Sequence, residues 1–187
     1  TLLSLADVGI SGSIDESGTT YEENARIKAV ECAARSGIVT LADDSGLEVF
    51  ALGGRPGVHS ARYAGADASD EDRNRKLLEE LGSETTSREA RFFCALALAQ
   101  DNAILLESEG ECRGVITHAP RGTNGFGYDP VFFYPSAEKT FAQISREEKN
   151  KVSHRGKALA EFKSEFDKVL IWLKQRQQEV QAPHNHH

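Results

Sequence analysis

Two adjacent carboxylates, Asp43 and Asp44, are followed directly by Ser45 and Gly46. They stand between two short apolar and β-branched runs, so we predict an acidic turn at the end of a strand. Carboxylates at such a turn can hold Mg²⁺ through oxygen ligands, and that ion can polarise a phosphate and acidify a water. Asp, Ser and Gly are also ordinary turn formers, so the four residues alone fit a solvent-exposed turn equally well.

Further acidic residues precede the first predicted helix. Glu23 is explained by a capping box and Glu22 by the helix dipole. A divalent ion that bridges phosphates takes only one or two carboxylates and fills its other positions with water and phosphate oxygens. Asp15 and Glu16, in the loop, therefore become candidates for a second metal ligand.

The segment from Gly125 to Pro130 places Phe126 and Asp129 between residues that let a ligand approach the backbone. Phe126 can stack on a flat base, and Asp129 can accept a hydrogen bond from a ring N–H. The alternative is a tight turn whose aromatic residues fill the core. The glycines resemble a dinucleotide-binding fingerprint, but they lead into a strand rather than a helix, so that interpretation is rejected.

A cationic cluster extends from Lys149 to Arg155 at the start of a helix, where positive charge opposes the helix dipole. A bound anion or a purine acceptor edge would stabilise it there. His154 and Arg155 are the better candidates, because a guanidinium offers fixed donors to keto and ring-nitrogen acceptors. For Lys151 a solvated basic face is the preferred interpretation. Arg62 is a weaker candidate that can simply pair with a neighbouring acid.

Three helices are predicted to position these groups. One covers residues 21–36, with Thr20 and Glu23 as a capping box and Gly37 as its end. A second, charged helix is capped by Ser69 and ends at Gly82. The third begins after Ser153 and carries one apolar stripe. The stripe is formed by Leu159, Phe162, Phe166, Val169, Leu170 and Leu173.

The predicted strands alternate with these helices and with two glycine-rich loops, 53–65 and 122–130. The strands cover residues 38–42, 47–52, 90–99, 103–108, 111–118 and 131–134. Those between residues 90 and 118 are spaced as antiparallel neighbours. Because helices and strands are interspersed, we predict the α/β class with a mixed sheet, in a single domain over residues 1–182.

Composition limits the function classes. A formal net charge of −7 among 187 residues argues against a duplex nucleic-acid partner, and no run is long enough to cross a bilayer. Three widely spaced cysteines indicate reduced, structural thiols, and a cytoplasmic protein is expected. The His-containing tail, residues 183–187, is expected to be disordered or a cloning remnant.

Four segments, LADDSGLEV, GGRPGVHSARYAG, NGFGYDPVF and EEKNKVSHRGKAL, resemble in order and spacing the inosine triphosphate pyrophosphatase family. The resemblance covers nearly the whole chain. It implies an elongated α/β fold of two lobes around a central cleft, a long mixed sheet, a homodimer and a Mg²⁺ requirement. It also implies hydrolysis of ITP, dITP and XTP to the monophosphate and pyrophosphate.

The resemblance assigns roles by position. Asp44 matches the family's general base and a metal-linked carboxylate, Glu16 its other acidic metal-site residue, and Lys28 a lysine on the phosphate side. Ser45 matches a substrate contact. The base and nucleotide contacts correspond to Phe126, Gly127, Tyr128, Asp129, Lys149, His154 and Arg155.

Two departures keep alternatives open. His59 stands where family members often have Tyr, which a loop should tolerate. No counterpart of the family's opening strand, phosphate loop and following helix precedes Thr1, so the expectation is an N-terminally incomplete chain that is poorly stable or inactive. The alternatives are a pyrophosphatase for other modified nucleotides and an inactive nucleotide-binding module. The residues that would exclude GTP are not evident from the sequence.

Overall fold

Four α-helices and five strands make up the described part of the chain, residues 1–12 and 14–181 of a computed structural model. The helices are α1 Tyr21–Ser36, α2 Asp70–Leu81, α3 Arg146–Val152 and α4 His154–Gln181. The strands are β1 Thr40–Val49, β2 Glu89–Gln100, β3 Ala103–Ile116, β4 Phe132–Tyr134 and β5 Lys139–Thr140. The α/β class is confirmed.

The strands form one sheet in the order β1-β2-β3-β4-β5. Every pairing between these strands is antiparallel. Within residues 1–12 and 14–181 the sheet is therefore not mixed in direction. Asp101 and Asn102 alone join β2 to β3, a connection too short for parallel strands, which need a crossover of roughly a dozen residues or more.

The acidic turn is not a turn, and this prediction is wrong. Asp43 to Gly46 lie inside β1, where Asp43 pairs with Leu96, Asp44 with Ala95 and Ser45 with Cys94. Continuous pairing with β2 from Thr40 to Val49 outweighs the local turn preference of these residues. The predicted second run ends at Val49, and residues 50–52 form a 3-10 turn.

The predicted break between residues 108 and 111 is also wrong, because β3 continues through Ser108 and Gly110. Gly110 is there to admit α4. A Cβ atom at this position would lie 2.6 Å from the Ala158 nitrogen and close to the His154 carbonyl oxygen. This glycine therefore marks close helix-to-sheet packing rather than a chain break.

The three predicted helices are present, and α1 has the predicted bounds. The Thr20 hydroxyl accepts from the Glu23 amide, but the Glu23 carboxylate accepts from the Thr19 amide, so the predicted capping box is incomplete. The hydroxyl of Ser153 accepts from the Gly156 amide and caps α4. On α4, Phe162 is buried in the predicted stripe, whereas Leu159 is exposed.

The two faces of β2 carry different helices, because successive side chains of a strand point to opposite sides. Phe93, Ala95, Ala97 and Ala99 pack against α1. On the other face, Cys94, Leu96 and Leu98 pack against Ala158 and Phe162 of α4.

A third apolar cluster lies on the same face of the sheet as α4. It includes Phe92 of β2, Leu77 of α2 and Phe132 of β4. The end of α4 that carries His154 therefore meets this cluster, since the His154 ring stacks on Phe92.

All three cysteines are buried free thiols. No helix among the described residues is long and apolar enough to cross a membrane. The His-containing tail predicted over residues 183–187 lies outside the described residues, and the single-domain assignment stays a prediction.

Candidate active site

Asp43 and Asp44 are neighbours in β1 that face opposite sides of the sheet. Asp44 points towards α1, where Lys28 binds it, and Asp43 points towards α4, where Arg155 binds it. The strand thus presents one carboxylate to each helix layer, and the two carboxylates have different surroundings.

Asp44 lies 6% exposed beside Lys28 and Glu16. The Lys28 ammonium donates to Asp44 Oδ1 at 2.9 Å and to the Asp43 carbonyl oxygen at 2.7 Å, and lies 3.4 Å from Glu16 Oε1. Burial raises the pKa of Asp44, and the Lys28 hydrogen bond opposes that rise. Arg62 reaches the same group, with its guanidinium 4.0 Å from Glu16 Oε2, in agreement with pairing to a neighbouring acid.

The second oxygen of Asp44, Oδ2, is buried and has no hydrogen-bond partner among the described residues. A buried carboxylate oxygen normally has a hydrogen-bond partner, so Oδ2 of Asp44 is available to bind a ligand. Among all the residues that the structure describes, no group of three or more Cys, His, Asp and Glu side chains is placed to hold a metal ion. Since Mg²⁺ needs only one or two carboxylates beside water and phosphate, Asp44 and Glu16 still fit such an ion.

Asp43 is fully engaged on the other face. Arg155 Nε donates to Asp43 Oδ2 at 2.7 Å and Arg155 Nη2 to Oδ1 at 3.1 Å, and the Ser45 hydroxyl and Cys94 thiol also donate to this carboxylate. Burial is the largest single effect and raises the pKa of Asp43, but the hydrogen bonds and charge of Arg155, together with the hydrogen bonds from Cys94 and Ser45, outweigh it and hold the pKa below its usual range. Asp43 is therefore a fixed anion that orients Arg155 and Ser45.

The loop before β4 holds an exposed ring above a buried carboxylate. Phe126 is 61% exposed, and its backbone amide donates to Asp129 Oδ2 at 3.0 Å. Asp129 is 2% exposed and forms an ion pair with Lys149. Burial raises the pKa of Asp129, and Lys149 opposes this. The Lys149 ammonium also lies 4.5 Å from the centre of the Phe126 ring, and the Arg155 guanidinium 5.7 Å from it.

His154 is a buried, neutral imidazole. Its ring stacks on Phe92 with centroids 4.7 Å apart, and its Nδ1 atom has no partner within the described segments. Burial, and then the charges of Arg155 and Lys149, lowers the pKa of His154 to about 3. An uncharged imidazole with a free ring nitrogen can exchange a directed hydrogen bond with a ligand.

Two cavities meet at these residues. The larger holds about 640 Å³ and the smaller about 220 Å³, and both are bounded by Phe126, Lys149, His154 and Arg155. The smaller one extends along β1 past Ser45 to Ala61, the residue next to Arg62. A ligand beside the Phe126 ring can therefore reach β1 at Ser45. Together the two cavities have the size expected for a small-molecule site.

The structure brings the predicted site residues into two adjoining groups. One contains Glu16, Lys28 and Asp44. The other, around Phe126, contains Ser45, Phe126, Gly127, Asp129, Lys149, His154 and Arg155. Tyr128 is buried and donates to the Ser60 carbonyl oxygen at 2.6 Å, so its hydroxyl is occupied by the fold.

Sequence reasoning missed Asp70 and Asn74 of α2, which bind the backbone of Gly127. In the sequence, Asp70 is simply the residue that follows Ser69, the predicted cap of a charged helix. No short-range pattern connects α2 to a loop more than 50 residues later.

Comparisons with known proteins show the family of this chain. Residues 1–165 match the model of the Ham1 family. The chain belongs to the Ham1 family. A relative from Syntrophobacter fumaroxidans named dITP/XTP pyrophosphatase is 56% identical over 172 residues, which are 92% of this chain and 74% of the relative. One of the same name from Exiguobacterium is 54% identical over 163 residues, 87% of this chain and 83% of the relative.

Solved Ham1 structures share the fold. A HAM1 protein from Coxiella burnetii superposes with a TM-score of 0.80 at 44% identity, over 84% of this chain and 81% of that one. The Staphylococcus aureus Ham1 protein gives 0.78 at 43% identity, over 83% and 81%. The resemblance that the four sequence segments predicted is confirmed by family membership.

Proposed function

We propose that this chain hydrolyses non-canonical purine nucleoside triphosphates, ITP, dITP and XTP, to the monophosphate and pyrophosphate. The observation that carries the proposal is the buried Oδ2 of Asp44, which lies beside Lys28 and has no partner among the described residues. The next residue of the same strand, Ser45, lines a cavity that Phe126 and His154 also border. Ham1-family membership and relatives named dITP/XTP pyrophosphatase support it. The function is the sanitation of the nucleotide pool.

The group of residues around Phe126 explains how a purine would be held. The exposed Phe126 ring offers a stacking surface, and the cations of Lys149 and Arg155 beside it favour an electron-rich base. Asp129 can accept from a ring N–H through its Oδ1 atom, since Oδ2 is used by Lys149 and the Phe126 amide. Gly127 has no side chain to obstruct the base, Ser45 contributes its hydroxyl, and Tyr128 holds the loop in place through Ser60.

Selectivity against ATP follows from the six-position of the purine. Arg155 and His154 can donate to a keto oxygen there, whereas adenine presents an amino group that leaves these donors unpaired. The low pKa of His154 keeps the imidazole neutral at physiological pH, so it adds direction rather than charge to this contact.

The reaction is an in-line attack of water on the α-phosphorus. Asp44 accepts the proton of the attacking water, the new P–O bond forms, and the bond to the bridging oxygen breaks as pyrophosphate leaves. Lys28 donates to Asp44 Oδ1, which favours the ionised carboxylate against the effect of burial on its pKa and orients it. Glu16 and Asp44 would hold Mg²⁺, which supplies charge neutralisation on the phosphates and a more acidic water.

Release of pyrophosphate by the purified chain with Mg²⁺ tests this proposal. We expect turnover of ITP, dITP and XTP to exceed that of ATP by at least about tenfold, since one lost pair of buried hydrogen bonds is worth about that factor. Faster cleavage of dUTP or methylated dUTP would instead favour a pyrophosphatase for other modified nucleotides. Saturable ITP binding without turnover would show a nucleotide-binding module, and the enzyme assignment would fall.

We further propose a homodimer located in the cytoplasm. The family resemblance supports the dimer, and three buried reduced thiols suit a reducing compartment. Light scattering of the purified protein should give twice the chain mass of 20.4 kDa, and a monomer at micromolar concentration would contradict the dimer.

A further inference from the structure

Two side chains of helix α2 form hydrogen bonds with the backbone of Gly127, in the middle of the loop that carries Phe126 and Asp129. The Gly127 amide donates to Asp70 Oδ2 at 2.8 Å. Asn74 Nδ2 donates to the Gly127 carbonyl oxygen at 3.1 Å. Asp70 and Asn74 are four residues apart and thus on one face of α2, so both polar groups of Gly127 are bound by a single rigid element.

Both α2 side chains are themselves fixed. Asn74 is 4% exposed. Asp70 pairs with Arg73, and the Arg73 and Gly127 hydrogen bonds hold the pKa of Asp70 below its usual range, so it is a carboxylate acceptor at neutral pH. Arg73 also donates to the carbonyl oxygens of Ala61 and Ala68, which connects α2 to the wall of the smaller cavity.

The loop needs this support because packing alone does not place Phe126. Its ring is 61% exposed, and the loop turns at Gly127 with φ of 61°. A freely mobile loop would lose conformational entropy on binding a base. Holding the amide and the carbonyl of Gly127 reduces that loss, and it fixes Phe126 relative to Asp129.

We propose that Asp70 and Asn74 are positioning residues that set nucleobase selectivity by fixing the Gly127 peptide. This inference rests on the proposed function, because it assumes that Phe126 and Asp129 receive a base. The two side chains act through the loop backbone. Loss of one hydrogen bond to Gly127 should loosen the discriminating contacts of a matched base more than the general contacts shared by all triphosphates.

The test compares the Kd of ITP with that of ATP, measured by calorimetry on the full chain with Ca²⁺ in place of Mg²⁺ to slow turnover. Asp70→Ala and Asn74→Leu should each weaken ITP binding about tenfold and ATP binding by less than about threefold, since tenfold corresponds to about 1.4 kcal/mol, the upper range for one hydrogen bond. Asp70→Asn keeps an acceptor oxygen and should restore most of the ratio.

Asp72→Ala is the matched control. Asp72 lies in the same first turn of α2 and accepts from the Ser69 amide, but it has no contact with Gly127. This variant should lower the unfolding temperature as much as Asp70→Ala does, while the ITP-to-ATP ratio stays at the wild-type value. A ratio that falls equally in Asp72→Ala, or that Asp70→Ala leaves unchanged, overturns the proposal.

Amide hydrogen exchange at Gly127, measured by NMR without nucleotide, separates this inference from the proposed function. We expect exchange at least about tenfold faster in Asp70→Ala than in wild type and in Asp72→Ala. Equal exchange in all three proteins overturns the positioning role even if ITP is hydrolysed. A wild-type chain that binds neither nucleotide contradicts the proposed function and the selectivity role, and the exchange rates then report only whether α2 restrains the loop.

Discussion

At the scale of single residues, Asp43 and Asp44 show how one dipeptide can supply two different groups. Asp43 is saturated by Arg155, Ser45 and Cys94, whereas Asp44 has one oxygen on Lys28 and one without a partner among the described residues. The saturated carboxylate is suited to orienting its neighbours, and the half-free one to binding a ligand or accepting a proton.

Asp44→Asn should therefore reduce kcat by at least about 100-fold, the typical contribution of a general base, without unfolding the protein. The amide oxygen can still accept from Lys28, so the local packing is retained. Pyrophosphate release measures the rate, and circular dichroism checks the fold. Asp43→Asn is the matched control on the opposite face of β1, where the amide can still accept from Arg155. Equal loss of kcat in both variants would contradict the distinct role of Asp44.

His154 makes stability depend on pH. Its pKa is lowered to about 3 in the folded protein, against an ordinary value of 6.5. Between these values the unfolded chain binds a proton that the folded state refuses, so stability falls as pH decreases through this window. At 1.36 kcal/mol per unit, this residue alone should cost the folded state about 3 kcal/mol between pH 7 and pH 4.

Urea unfolding of wild type and His154→Gln at both pH values measures this contribution. The glutamine variant should lose less stability on acidification, although it starts lower because it lacks the stacking on Phe92. His118→Gln changes an exposed histidine and serves as the control. If the free energy of unfolding depends on pH equally in wild type and His154→Gln, then His154 is protonated as readily in the folded state as in the unfolded chain.

At the scale of elements, β1 is shaped by what packs on it as much as by its own sequence. Gly46 lies where a Cβ atom would be 2.7 Å from Tyr21 Cε1 and in collision with the carbonyl oxygen of Gly57. The residue thus lets α1 and the loop that contains Gly57 approach the strand next to Asp44 and Ser45.

Gly46→Ala should destabilise the protein by about 2 kcal/mol or more, because a backbone carbonyl cannot move aside as a flexible side chain can. The urea midpoint measures the change. Gly37→Ala is a useful comparison, since Gly37 has a φ of 68° but open space around it. Its cost, about 1 kcal/mol, reflects conformation alone. A Gly46→Ala protein as stable as wild type would show that the loop is free to retreat.

The sequence predicted local features of these elements well and long-range ones poorly. Thr20 and Gly37 mark the ends of α1, because capping depends on residues a few positions apart. Asp43 to Gly46 were mistaken for a turn, since their extended conformation depends on β2, about 50 residues away. The same reason hid the contacts of α2 with Gly127. The candidate site residues were predicted from the order of motifs, which carries long-range information that periodicity lacks.

At the scale of the whole molecule, the ion pair between Asp43 and Arg155 joins two distant parts of the chain. It connects β1 to the first turn of α4 across 112 positions and closes one side of the candidate active site. The side chains are 32% and 39% exposed, so solvent weakens their attraction, while the two hydrogen bonds of the guanidinium strengthen it.

A double-mutant cycle with Asp43→Ala and Arg155→Met should give a coupling energy of about 1 kcal/mol in urea unfolding, the upper range for a partly exposed pair. Saturating ITP should increase this coupling if the ligand excludes water from the pair, because charges attract more strongly in a less polar environment. Each single variant should also weaken ITP binding, because Arg155 is no longer oriented when Asp43 is replaced and is absent in Arg155→Met. Additive effects within about 0.3 kcal/mol, with and without ITP, would show that Asp43 and Arg155 act independently and that their ion pair does not help to hold β1 against α4.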